Sequence, residues 1–150
     1  MPYVDPARVH EEAEISQLIA DQMSAIGAKD IDRIMAPYLE DVVVFDVKPP
    51  FRLRGAAALR ASWLACLPYF PAACGAEIRE LQILAGREVA HANWVWRLTD
   101  MGHDGPPRTW MRSSAGYRKI DGRWRIVHEH VSLPFDPVTA QVVFTPHLDS

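Results

Sequence analysis

Residues 38–55, Y-L-E-D-V-V-V-F-D-V-K-P-P-F-R-L-R-G, constrain the fold more than any other stretch of this chain. The β-branched run 42–47 predicts a strand, because such side chains pack well on a pleated surface. The strand carries a carboxylate, Asp46, near its end and is broken at once by Pro49 and Pro50. Gly55 follows, and then the Ala- and Leu-rich segment 56–66 predicts a helix that Pro68 and Pro71 close. A carboxylate at a strand end, beside apolar neighbours, is where a small fold can hold a general base.

The segments on either side extend the pattern. Residues 6–28 predict a helix, since Val9, Ala13, Ile15, Leu18, Ile19, Met23 and Ile26 recur at steps of three and four. Gly27 is placed as a stop signal, and Asp30 can cap a second short helix over 31–39. Beyond Gly75 the spacing predicts four strands, at 76–85, 88–99, 108–119 and 123–133. Turns at 85–87, 100–107 and Asp121-Gly122 separate them, and the last is a strong hairpin signal. The proline-bearing tail from Pro134 reads as extended. Helices first and strands later give an α+β fold: a cone-shaped, curved antiparallel sheet packed on three N-terminal helices, with a cavity between the layers.

The 150 residues suit a single domain, 1–150. A chain of this size buries roughly 70% of its unfolded surface, so no disulfide or metal is needed to hold it. A net charge of −3 with mixed signs argues against a nucleic-acid partner. No apolar run is long enough for a membrane span, and the first ten residues lack the layout of a signal peptide. The expectation is a soluble cytoplasmic protein with Cys66 and Cys74 as free thiols. No dinucleotide fingerprint, P-loop or metal cluster is present, so the sequence implies no cofactor.

The order of elements resembles the nuclear transport factor 2-like superfamily, whose fold is also called cystatin-like. The motifs D-V-V-V-F-D (41–46), Pro49-Pro50, Arg54-Gly55 and R-K-I-D-G-R-W-R-I-V-H-E-H-V-S-L-P-F (118–135) resemble its SnoaL-like, ketosteroid isomerase-like branch. That superfamily hosts isomerases, dehydratases, polyketide cyclases, hydrolases and non-enzymatic hubs, so the resemblance speaks more to fold than to activity. It implies that Asp46 takes the place of the proton-moving aspartate of ketosteroid isomerase. The places of the two oxyanion donors, a tyrosine and a neutral aspartic acid, hold Gln22 and Ser113 here. The C-terminal hairpin and Trp96-Arg97-Leu98-Thr99 also resemble the association domain of calcium/calmodulin-dependent kinase. One of the carboxylate-binding arginines of that hub falls on Arg97, and two others fall on Ala115 and Val131.

Strand alternation divides each strand into two sets. The resemblance implies that His91, Asn93, Val95 and Arg97, then Met111, Ser113, Ala115 and Tyr117, then Val127, Glu129, Val131 and Leu133 face the cavity. Trp94, Trp96, Trp110, His128 and His130 would then lie on the outer sheet face. A homodimer through that face would cover the tryptophans.

The resulting expectation is a small-molecule site. Asp46 moves a proton, while Gln22, Ser113 and Tyr117 polarise or place an oxygen. Asn93, Arg97, Glu129 and His91 set the polar side, and Trp63 stacks on a flat ligand. The chemistry fits a cofactor-independent isomerase or lyase acting on an apolar carbonyl or polycyclic compound. The alternatives are a non-catalytic binding or dimerisation domain, or a hydrolase of the epoxide hydrolase type in which Asp46, Arg97 and Asn93 activate water. Blander readings stand beside these: Asp46 bonded to the Pro49-Pro50 loop or paired with Arg52 or Arg54, a Glu129–Arg97 ion pair, and structural roles for His91, His128 and His130. A metal site on His128 and His130 would need a third ligand, for which His103 is the remote candidate.

Overall fold

The computed structural model describes residues 1–72, 74–100 and 109–149. His103 and most of the expected 100–107 turn lie outside those residues. The chain opens with α1 (Pro6–Gly27), α2 (Ile31–Met35), β1 (Tyr38–Phe45), β2 (Leu53–Arg54) and α3 (Ala56–Cys66). The long strands β3 (Gly75–Ala85), β4 (Val89–Thr99), β5 (Met111–Ile120) and β6 (Arg123–Ser132) follow, and a small ribbon, β7 (Phe135–Asp136) and β8 (Gln141–Val142), ends it.

Local chemistry sets the boundaries. Asp5 caps α1 by accepting the Ala7 N–H at 3.0 Å, with Pro6 in the first turn where its missing N–H costs nothing. Asp30 caps α2 by accepting the Arg33 N–H at 3.2 Å. α2 stops at Met35, four residues before the expected end, because Pro37 has no N–H to continue it. The Pro37 carbonyl instead accepts the Ile126 N–H at 2.8 Å, and β1 begins at Tyr38. At the β5–β6 turn Asp121 and Gly122 both take positive φ, +51° and +77°, as the tightest hairpins require.

The sheet runs β2-β1-β6-β5-β4-β3. β3 to β6 form an antiparallel meander, and β1 joins β6 in parallel, placing Val44 beside Glu129. Helices and sheet enclose a core in which Ile15, Ile19, Ile34, Val42, Val44, Tyr117 and Ile126 are fully buried.

Two strand faces differ from expectation. On β4, Trp94 lies opposite Ser113 and Trp96 opposite Met111. Residues paired across strands share a face, so the tryptophans point inward with Ser113, and His91, Asn93 and Arg97 point outward. A one-residue change of phase exchanges the whole set. On β6, a bulge falls where Gly116 pairs with His128 but Tyr117 pairs with Ile126, leaving Val127 as the extra residue. Ile126 and Glu129 therefore both face inward, and Ile126, not Val127, joins the core. With Trp94 and Trp96 inside, the tryptophan argument for a covered outer face shrinks to Trp110. That ring lies 4.7 Å below the Arg97 guanidinium, the Trp110 backbone N–H donates to the Thr145 carbonyl at 2.9 Å, and the residue is buried within the chain itself.

Candidate functional site

A cavity of about 340 Å³ opens between α1, α3 and the inner face of the sheet. Its walls are mainly apolar: Leu59, Trp63 and Phe70 on one side, and Trp94, Trp96, Leu98 and Met111 on the other. Two sets of its polar groups carry the ionisable side chains.

The first set centres on Glu129. β1 pairs in parallel with β6, so Tyr38 at the start of β1 can reach across, and its hydroxyl donates to both carboxyl oxygens of Glu129 at 2.9 Å. Protein crowds this carboxyl group closely, and the resulting desolvation pushes it up from 4.5 to about 7. The Tyr38 bond opposes that rise, and the nearby charge of Asp46 adds to it. Glu129 is not sealed, since it keeps some accessible surface, as a cavity-lining group should. Burial and the same carboxylate push the Tyr38 hydroxyl well above its ordinary value, so it stays a donor.

The second set is Asp46, Lys48, Ser62 and Cys66. Asp46 Oδ1 accepts its neighbour's N–H, from Val47, at 2.7 Å, and Oδ2 lies 3.9 Å from the half-exposed Lys48 ammonium. Lys48 in turn donates to the Ser62 hydroxyl on α3. Burial pushes the Cys66 thiol up, which disfavours a nucleophilic role. Arg52 and Arg54 are not the partners of Asp46; Lys48 takes that place.

The structure thus gathers five of the expected residues on one cavity: Asp46, Gln22, Ser113, Glu129 and Trp63. Gln22 donates weakly to the Ile34 carbonyl at 3.4 Å, and the Ser113 hydroxyl accepts the Trp96 indole N–H at 2.8 Å. Four expected residues fall elsewhere. Tyr117 is buried in the core, outside the cavity lining. His91, Asn93 and Arg97 lie on the outer face of β4, for the reason of phase given above. Arg97 donates to Glu77 on β3 at 2.9 Å, so neither the Glu129–Arg97 pair nor the Asp46–Arg97–Asn93 grouping is formed. His128 donates from Nδ1 to the Val43 carbonyl at 2.7 Å, and both His128 and His130 meet the Phe45 ring edge-on. No cluster of metal-ligating side chains is found among the described residues.

Sequence reasoning missed Tyr38, Lys48, Ser62, Trp94 and Trp96. Plain alternation held a signal for the tryptophans: along 93–97 apolar Trp94 and Trp96 interleave with Asn93 and Arg97, which reads as apolar side in.

The SnoaL-like domain family matches residues 15–136. Among solved structures, the chain is similar to an NTF2-like protein of unknown function from Pseudomonas putida KT2440, with 34% identity, 91% of this chain and 95% of that chain covered, and a TM-score of 0.83. It also resembles a protein provisionally named a scytalone dehydratase from Novosphingobium aromaticivorans (16% identity, 82% and 83% covered, TM-score 0.70). A third similar structure is provisionally named a dehydratase of the NTF2-like family, from Streptomyces avermitilis (11% identity, 83% and 97% covered, TM-score 0.71). No curated protein matches the chain.

Proposed function

We infer that this chain, which belongs to the SnoaL-like domain family, is a proton-transfer enzyme, an isomerase or lyase acting on a small, largely apolar ring compound that carries an oxygen. The observation that carries this reading is a carboxyl group raised to about 7 in an apolar cavity that a second carboxylate also lines. Two carboxyl groups in unlike surroundings can divide the roles of acid and base at neutral pH. Asp46 takes a proton from carbon. Glu129, protonated below about 7, returns one to the neighbouring oxygen or carbon, or to a departing hydroxyl. Trp63, Trp94 and Trp96 give a flat ring compound walls to stack on. The provisional dehydratase names of two similar structures agree with the lyase branch.

The test is deuterium exchange into enolisable bicyclic ketones, followed by NMR, with wild type, Asp46→Asn and Glu129→Gln. Each substitution is expected to slow exchange by about 10²–10⁴-fold, the usual worth of a positioned acid or base, while thermal-shift binding persists. Exchange that neither substitution slows would overturn the reading. The Lys48 contact at Asp46 favours a second reading, a cavity that holds its ligand without turnover; binding with no exchange in wild type would select it.

A further inference from the structure

Among the described residues, three buried side-chain polar atoms meet no partner: Trp94 Nε1, Tyr117 Oη and Arg125 Nε. Tyr117 lies in the core, and Arg125 lies at the far end of β6 and donates to the Tyr38 carbonyl. Only Trp94 lines the cavity with the two carboxyl groups. A buried N–H without an acceptor costs about 1–3 kcal/mol, and native proteins rarely carry one unexplained. Trp94 is 4% exposed, so bulk solvent does not satisfy it; an occupant of the cavity can.

Its cross-strand neighbour strengthens the case. Ser113, 3% exposed, sits directly opposite Trp94 and lines the same cavity. Its oxygen already accepts the Trp96 N–H at 2.8 Å. That bond uses a lone pair and leaves the hydroxyl proton to be given away, and it makes the hydroxyl a better donor. No acceptor for that proton is found among the described residues. Two donors without acceptors therefore stand side by side on β4 and β5, on an apolar wall, where a hydrogen bond is worth most.

We propose that Trp94 Nε1 and the Ser113 hydroxyl are the oxygen-binding donors of the cavity, and that its ligand presents a carbonyl or phenolic oxygen to them. This rests on the proton-transfer reading for its consequence: an oxygen held there would be the one that gains charge when the carbon beside it loses a proton. The donors are neutral, so they select a neutral oxygen-bearing ring over a carboxylate or phosphate. They fill the part that Gln22, turned to the Ile34 carbonyl, leaves open.

The test compares 1-tetralone with tetralin, bicyclic compounds of the same shape with and without a carbonyl. Both are titrated into the ¹⁵N-labelled full chain while the indole N–H signals are followed. Tetralone is expected to bind about tenfold more tightly than tetralin, the worth of one net hydrogen bond, and to move the Trp94 indole signal downfield. Trp94→Phe keeps a ring in place and should erase the preference; Ser113→Ala should reduce it, which covers the case of a poorly folded Trp94→Phe. Equal affinities, a preference that survives both substitutions, or no saturable binding of either compound would overturn the proposal. Deuterium exchange in tetralone, read in the same tubes, depends on Asp46 and Glu129. Exchange without oxygen preference sinks the donors alone, and preference without exchange sinks the proton-transfer reading alone.

Discussion

Glu129 and Asp46 are both strand carboxylates facing one cavity, yet their surroundings differ. Glu129 has a tyrosine for a partner and crowded protein around it; Asp46 has a backbone N–H and a half-exposed lysine. The residue type is not what separates them. The neutral donor at Glu129 does not outweigh desolvation, so the proton is held to about 7. Folding therefore works against the charge on Glu129, which makes the comparison measurable in stability. Below about pH 4.5 folded and unfolded chains both keep the proton. Between about 4.5 and about 7 the folded chain holds a proton that the unfolded chain has lost, so stability falls as pH rises, and the loss is complete above about 7. At 1.36 kcal/mol per pKa unit the contribution is about 3 kcal/mol. Urea unfolding of wild type and Glu129→Gln at about pH 5 and about pH 8 reads it. The glutamine variant should lose that part of the pH dependence; identical profiles would mean that Glu129 is ordinary and the two ends of the cavity are alike.

Tyr38 sharpens the same contrast with a smaller effect. Its hydroxyl is the one group in direct contact that favours ionised Glu129. Tyr38→Phe should raise the Glu129 pKa further and move the upper edge of the pH window with it. Hydrogen bonds to charged groups are worth about 1.5–3 kcal/mol. The variant should therefore lose about that much stability at about pH 8, where Glu129 is ionised, and clearly less at about pH 5, where it is not. An equal loss at both pH values would assign Tyr38 to packing alone.

How much of this was legible in the sequence depended on the range of the interaction. The three-and-four spacing in α1, the composition of α3 and the Asp121-Gly122 hairpin are local, and these elements form where the spacing predicts. Asp46, Gln22 and Ser113 reach the cavity as the family resemblance implies. What was hidden is set by pairing between distant segments. Tyr38 read as the end of a helix because the parallel pairing of β1 with β6 leaves no mark in either strand alone. Ile126 and Glu129 share a face only because of the bulge at Val127. The β4 residues failed differently. A phase taken from distant relatives turned Asn93 and Arg97 inward, while their own polarity beside Trp94 and Trp96 pointed outward.

The outer face of β4 supplies the smallest predicted effect and a check on that phase. Arg97 is bonded to Glu77 at 2.9 Å and lies 4.7 Å over Trp110, with the pair only part-buried. Solvent screens such a pair and leaves it a small contribution, while a partly exposed cation over an indole adds about 0.5–1 kcal/mol. Arg97→Ala should cost stability on that scale, and the cost should shrink but not vanish in high salt, because salt screens the ion pair but leaves the ring contact. Ketone binding and exchange should be unchanged, since the side chain is separated from the cavity by the thickness of the sheet. A tenfold fall in exchange in Arg97→Ala would put the arginine inside and the tryptophans outside, and would reverse the face of β4 on which the oxygen-binding pair depends.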